Sequence, residues 1–254
     1  MHLIINRTTR TLAALCFILS GFTGQRALAQ SEMPRDMRVP PRSLIEDFSI
    51  ALGAAPSGGV RRIVPLAPEL IMTFEGWEPS PYDDPSGYCT LGYGHLIKKS
   101  GCATIDLSAY TFPLTKVMGM ELLEADTRTA RVAVQRLVRQ EMKDNEFGAL
   151  SSFVFNVGKD NFAQSTMLKL LNEGAFNAAA KEFGKWVVSN NKVLSGLVSR
   201  RSCEAALFKN QLTPGAGGVF IRADCESLGA APSGGDLIDI DTGKEVPLSE
   251  IKSK

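Results

Sequence analysis

Apolar residues recur at helical spacing through most of the stretch from Pro65 to Leu212, and sequence rich in Pro, Gly and Ser lies on either side of it. That contrast bounds the fold more tightly than any single motif, because a helical period repeated over successive segments leaves little room for an extended sheet. Phe112–Val138 carries apolar residues at Val117, Met120, Leu123, Val132, Val134, Leu137 and Val138, close to a helical repeat. Glu146–Val157 carries Phe147, Leu150, Phe153, Val154 and Val157, the pattern of a buried helix, with Gly158 as its stop. Ser165 is placed to cap a helix over Thr166–Asn172, and Ala175–Val188 and Ser195–Phe208 complete the set. Only Tyr82–Thr104 has strand and turn character, with Tyr, Thr, Leu and Ile among glycines. The pattern predicts an α+β, mainly α domain over residues 65–212. It has a small β element near its start and a helical C-terminal lobe.

The flanks read differently. Met1–Arg10 carries Arg7 and Arg10 and no acid, Thr11–Gly24 is apolar, and Ala27-Leu28-Ala29 is a small-x-small site before Gln30. Basic, apolar and small in that order predict a secretory signal peptide over residues 1–29. The apolar run is shorter than the roughly 20 residues that span a bilayer. A weak, releasable membrane anchor is the alternative. Residues 30–64 read as an extended leader with a short helix at Ser43–Leu52, and residues 213–254 as a C-terminal extension. In the latter, Leu237–Ile240, a turn at Asp241–Gly243 and Lys244–Leu248 predict a small hairpin. The octapeptide at Leu52–Gly59 recurs at Leu228–Gly235, which reads as two flexible linkers of like composition rather than a repeat unit.

Loss of Arg7, Arg10 and Arg26 with the signal leaves 25 basic against 27 acidic residues, a net charge of −2. No nucleic-acid partner is expected of so balanced a chain. Cys16 leaves as well, and Cys89, Cys102, Cys203 and Cys225 remain. Four cysteines in an exported chain favour two disulfides, for which three pairings exist. Local pairing, Cys89–Cys102 and Cys203–Cys225, closes the shortest loops. The first would staple the loop beside Thr90, and the second would pin the C-terminal extension to the last core helix. A zinc site is disfavoured, since the chain has no C-x-x-C and His95 is its sole histidine after cleavage. No metal and no cofactor is expected.

The chemistry concentrates between Glu75 and His95. Glu75 ends an apolar run (Leu70, Ile71, Met72, Phe74) and precedes Gly76, which puts it at a helix C-terminus. An acid there, beside Phe74 and Trp77, is in a setting that suits a proton donor. It also fits an ordinary exposed glutamate. Asp84 follows nine positions later and Thr90 six after that. Asp84 precedes Pro85 and Gly87 and reads equally as a turn residue, with Asp83 and Glu78 as competing acids. Thr90 fits a plain strand position, and His95 fits a structural hydrogen bond. Two carboxylates on different elements, with a hydroxyl to hold a water, are nevertheless the parts that cleave a glycosidic bond.

Taken together, Glu75, Asp84 and Thr90 at these spacings, followed by Gly92-Tyr-Gly-His95, resemble the phage-type lysozymes of glycoside hydrolase family 24. The likeness continues through Ala149–Gly158, Ser165–Asn172 and Gly196–Leu207 and covers roughly residues 65–210. It implies hydrolysis of the β-1,4 bond between N-acetylmuramic acid and N-acetylglucosamine in peptidoglycan glycan strands. Glu75 would be the general acid, and Asp84 and Thr90 would position the attacking water. Of the Arg-Arg pair, Arg200 would face Glu75 and Arg201 would be its exposed neighbour. A secreted or periplasmic monomer without stable membrane insertion follows. Two other readings share the sequence: an endolysin with a releasable N-terminal anchor, and a non-catalytic peptidoglycan-binding module.

Overall fold

A computed structural model describes residues 59–84, 87–108, 110–213, 220–226 and 236–251. The expected signal peptide, the Ser43–Leu52 helix and both copies of the octapeptide, apart from Gly59, lie outside the described residues.

Helix α1 (Leu66–Glu75) forms because Ala67, Leu70 and Ile71 fall on one face and are all buried. It stops where Gly76, at φ 79°, turns the chain and donates its N–H to the Met72 carbonyl. The chain then enters an antiparallel sheet ordered β1 (Glu78–Asp83), β2 (Cys89–Gly92), β3 (His95–Lys98). The register sets Tyr82 against Thr90 and Leu91 against His95. All four residues of the central strand β2 are buried.

A cis Phe112–Pro113 bond leads to Thr115, whose Oγ1 accepts from the Met118 N–H and caps α2 (Lys116–Asp126). The apolar period of Phe112–Val138 belongs to two helices, not one. After α2, α3 (Arg128–Leu137) begins beyond Thr127. The period reads through the joint because Thr127 itself keeps near-helical angles (φ −72°, ψ −11°).

Helix α4 (Asp144–Val157) is the centre of the molecule. Phe147, Gly148, Ala149, Leu150, Ser151, Ser152, Phe153, Val154 and Val157 are all buried, so it is covered on nearly every side. Glu146 accepts from the Lys143 N–H at 2.7 Å and fixes its start, and Gly158 ends it. Helices α5 (Lys159–Ala163), α6 (Thr166–Asn172) and α7 (Phe176–Glu182) wrap it, with Ser165 capping α6 through the Leu168 N–H. Phe153 sits edge-on to Phe162, Phe183 and Trp186, with centroids 5.2–6.4 Å apart. Strands β4 (Val188–Ser189) and β5 (Lys192–Val193) form a short hairpin before α8 (Ser195–Phe208), which packs along α4.

The packed unit is wider than residues 65–212. Ahead of α1, Ile63 and Val64 lie against the core, and Arg61 is tied by its N–H to Gln135 and by its carbonyl to Arg131. Beyond residue 212, Phe220, Cys225 and Ile238 join the same core. Helix α9 (Arg222–Glu226) lies on α8, and β6 (Leu237–Ile238) pairs with β7 (Glu245–Val246). Apolar side chains in low-complexity flanks are buried wherever the core leaves a face open. No described helix is long and apolar enough to cross a membrane.

Candidate active site

Glu75 is the last residue of α1, and its side chain is about one quarter exposed (24%). Its Oε1 lies 2.6 Å from Nη1 of Arg200, on the first half of α8. On the other side, a Cβ added to Gly94 would come 3.4 Å from Oε2, so the β2–β3 turn reaches the carboxylate with its bare backbone. Gly94 stands at φ 79°, where a side chain would also be strained. The carboxylate is thus held between a buried cation and the tip of the sheet.

Arg200 is itself buried, and its Nε donates to Oε1 of Glu204 at 3.2 Å. Glu204 is fully buried. It also accepts from the Ser152 hydroxyl at 2.7 Å and from Arg201 Nη1 at 2.6 Å. Arg201 is not the exposed neighbour expected from the sequence. It is 0% exposed, donates from Nη2 to the Asn156 Oδ1, and places its guanidinium 4.9 Å from the Phe153 ring centroid. The reason is that α8 is enclosed on several sides, by α1 and α4 and by α9. Burial drives the Arg201 guanidinium down to about 10, against the opposing pull of Glu204. Ser152, Asn156 and Glu204 escaped the sequence reading. The available signal was Glu204 three and four positions after the two arginines, which puts all three within reach on one helix.

Asp84 closes the β1–β2 turn. Its N–H donates to the Tyr88 carbonyl, and its Oδ1 accepts from the Tyr88 N–H, each at 2.9 Å. Thr90, buried in β2, donates from Oγ1 to that same Tyr88 carbonyl at 3.2 Å. Asp84 and Thr90 are therefore joined through one peptide. Tyr82, opposite Thr90, has its phenol pushed up by burial first and then by the charges of Asp84, Glu78 and Glu75. Its hydroxyl feels both Glu75 and Asp84, which gathers the two acids about one strand. Asp83 is engaged elsewhere, since its Oδ1 accepts from the Cys102 N–H at 2.7 Å. Glu78 is exposed at the start of β1.

His95 takes the structural part. Its Nδ1 lies 3.0 Å from both carboxylate oxygens of Asp126, tying β3 to the end of α2. Both local disulfides are present, Cys89–Cys102 and Cys203–Cys225, each with Cα atoms 4.7 Å apart. Among the described residues, one group has metal-ligand proximity: Asp83, Cys89 and Cys102, whose sulfurs are bonded to each other.

Comparison with known proteins bears on the family of the chain. The phage lysozyme family model matches residues 72–204, just over half of the chain. An endolysin of Bacillus phage PZA is 36% identical over 147 residues, covering 57% of this chain and 54% of its own. The chain thus spans about half the length of that relative. A SAR-endolysin of Escherichia phage Mu is 30% identical over 151 residues, 59% of this chain and 83% of its own. Among solved structures, the muramidase domain of SpmX from Asticaccaulis excentricus superposes with a TM-score of 0.51. It is 33% identical and covers 61% of this chain and 99% of that one. With the family model matched over more than half of its length, the chain belongs to the phage lysozyme family.

Proposed function

We propose that this chain hydrolyses the β-1,4 bond between N-acetylmuramic acid and N-acetylglucosamine in peptidoglycan, as a secreted or periplasmic monomer. The observation that carries the reading is Glu75, gripped by buried Arg200 and faced by the turn of the sheet that bears Asp84 and Thr90. In this mechanism the Glu75 carboxyl protonates the leaving glycosidic oxygen. Asp84 and Thr90 hold a water on the opposite face of the sugar and draw off its proton as it attacks. The product is inverted, and the two carboxyls must stand roughly 6.5–9.5 Å apart to admit that water. Residues 65–212 carry the chemistry, and residues 1–29 direct export and are removed.

The test is digestion of purified peptidoglycan with mass analysis of the fragments. Muramic acid reducing ends from the parent, and none from a folded Glu75→Gln variant, are expected. Anhydro ends would make it a lytic transglycosylase. Binding without soluble fragments would make it a wall-binding module, and parent-like turnover by Glu75→Gln would remove Glu75 from the mechanism. The likeness to a SAR-endolysin favours a second reading of the N-terminus, an anchor released from the membrane intact. N-terminal sequencing of the released protein decides between the two, since a start at Gln30 means cleavage.

A further inference from the structure

We infer that Glu204, set in place by Ser152, is the positioning residue that aims Arg200 at Glu75. The inference rests on the proposed role of Glu75. Little else holds Arg200. Nη1 is spent on Glu75, and buried Nη2 has no partner among the described residues. That leaves the 3.2 Å bond from Nε to Glu204 Oε1 as the polar anchor on the far side of the guanidinium. Among the described residues, the only ring contact of its charge is the Phe74 face, 5.9 Å away. A planar guanidinium anchored at Nε has its Nη1 direction fixed by the plane of the fork. Glu204 in turn cannot swing, because Oε1 takes the Ser152 hydroxyl from α4 and Oε2 takes Arg201.

Charge supports the same conclusion. Arg200 and Arg201 are adjacent and buried, and they are balanced by buried Glu204 and by Glu75. The four charges cancel while Glu75 is ionised, and of the two guanidiniums Arg200 is the one in contact with it. Without the Glu204 charge, two adjacent buried guanidiniums would lose their shared partner, and their repulsion would pull Arg200 off its line to Glu75. The other titratable or charged groups near this point are Tyr82 on β1, with Glu78 and Asp84 behind it, and Arg222 on α9, whose guanidinium lies 5.0 Å from the Phe74 ring centroid. None of them touches Glu204 or replaces its bond to Arg200.

The experiment compares the parent, Glu75→Gln, Glu204→Gln, Ser152→Ala and the charge-balanced pair Glu204→Gln/Arg201→Gln on soluble glycan fragments, with folding checked by circular dichroism. For Glu204→Gln, the expected result is a fall in kcat of about a hundredfold, the scale of a misplaced catalytic group, with KM little changed. Ser152→Ala should lose about tenfold, the scale of one lost hydrogen bond to a charged group, again with KM little changed. The balanced pair, which restores charge balance but not the carboxylate anchor at Nε, should stay about as slow as Glu204→Gln. A folded Glu204→Gln or Ser152→Ala with parent kcat, beside an inactive Glu75→Gln, would overturn the inference alone. An active Glu75→Gln would instead overturn the proposed function. If Glu204→Gln fails to fold, Ser152→Ala and the balanced pair still decide. A balanced pair that recovers the parent kcat, or a Ser152→Ala that loses only thermal stability, counts against the inference.

Discussion

Replacing Cys203 and Cys225 together by alanine should cost this fold about 3 kcal/mol. The bridge closes a loop of 22 residues between α8 and α9. The chain-entropy relation then gives a loss of about 11 cal/mol/K in the unfolded state, or about 3.4 kcal/mol at 25 °C. Both cysteines are fully buried, so removing their sulfurs adds a small cavity term of the same sign. For a domain of this size each kcal/mol moves Tm by about 2–4 °C, so the midpoint should fall by about 7–14 °C. Thermal denaturation of the oxidised parent and the double variant, followed by circular dichroism, reads this directly. The contacts that α9 makes are also at stake, among them the Arg222 guanidinium over Phe74, next to Glu75. Reducing the parent should reproduce the shift only after unfolding exposes the sulfurs. A double variant melting within about 2 °C of the oxidised parent would refute the loop argument. It would mean that the packing of Phe220 and Ile238 against the core already fixes the extension.

Other expectations follow from single contacts. Gly119→Ala should destabilise by about 1–3 kcal/mol in chemical denaturation, despite alanine's better helix propensity, because its Cβ would sit 2.3 Å from the Trp77 ring. A double-mutant cycle with His95→Asn and Asp126→Asn should show a coupling above about 0.5 kcal/mol, because the pair joins β3 to α2 in a partly buried setting. Thr90→Val should keep the fold, having lost only the bond to the Tyr88 carbonyl, and should lower turnover on peptidoglycan far more than it lowers stability.

The local part of the fold was legible in the sequence because local causes fix it. Ser165 and its helix, Ser195–Phe208, the glycine stops and the short sheet follow from capping, period and turn chemistry. The break at Thr127 was not legible, since a residue that keeps helical angles leaves no mark on the apolar period. Glu75 at a helix end was legible from its apolar run and Gly76, Arg200 against it was expected from the resemblance, and the contact between them is present. The burial of Arg201 could not be read, because a charged side chain is enclosed only where another element supplies partners. Those partners, Asn156 and the Phe153 ring, come from α4, and Cys225 brings in the covering helix. Ile63 and Val64 likewise sit in a stretch whose composition suggests a linker, yet tertiary packing claims them.

The ion pair at the centre of the site joins residues 125 positions apart. A nascent chain exposes Glu75 long before α8 and Cys225 have been made, and contacts this distant in sequence form late in folding. Until the C-terminal third is synthesised and docked, the glutamate has no Arg200 beside it and the core that carries α1 lacks a wall. A truncated or interrupted chain therefore lacks the Glu75–Arg200 pair. For a chain proposed to hydrolyse peptidoglycan, assembling that pair last ties hydrolytic capacity to completion of the polypeptide.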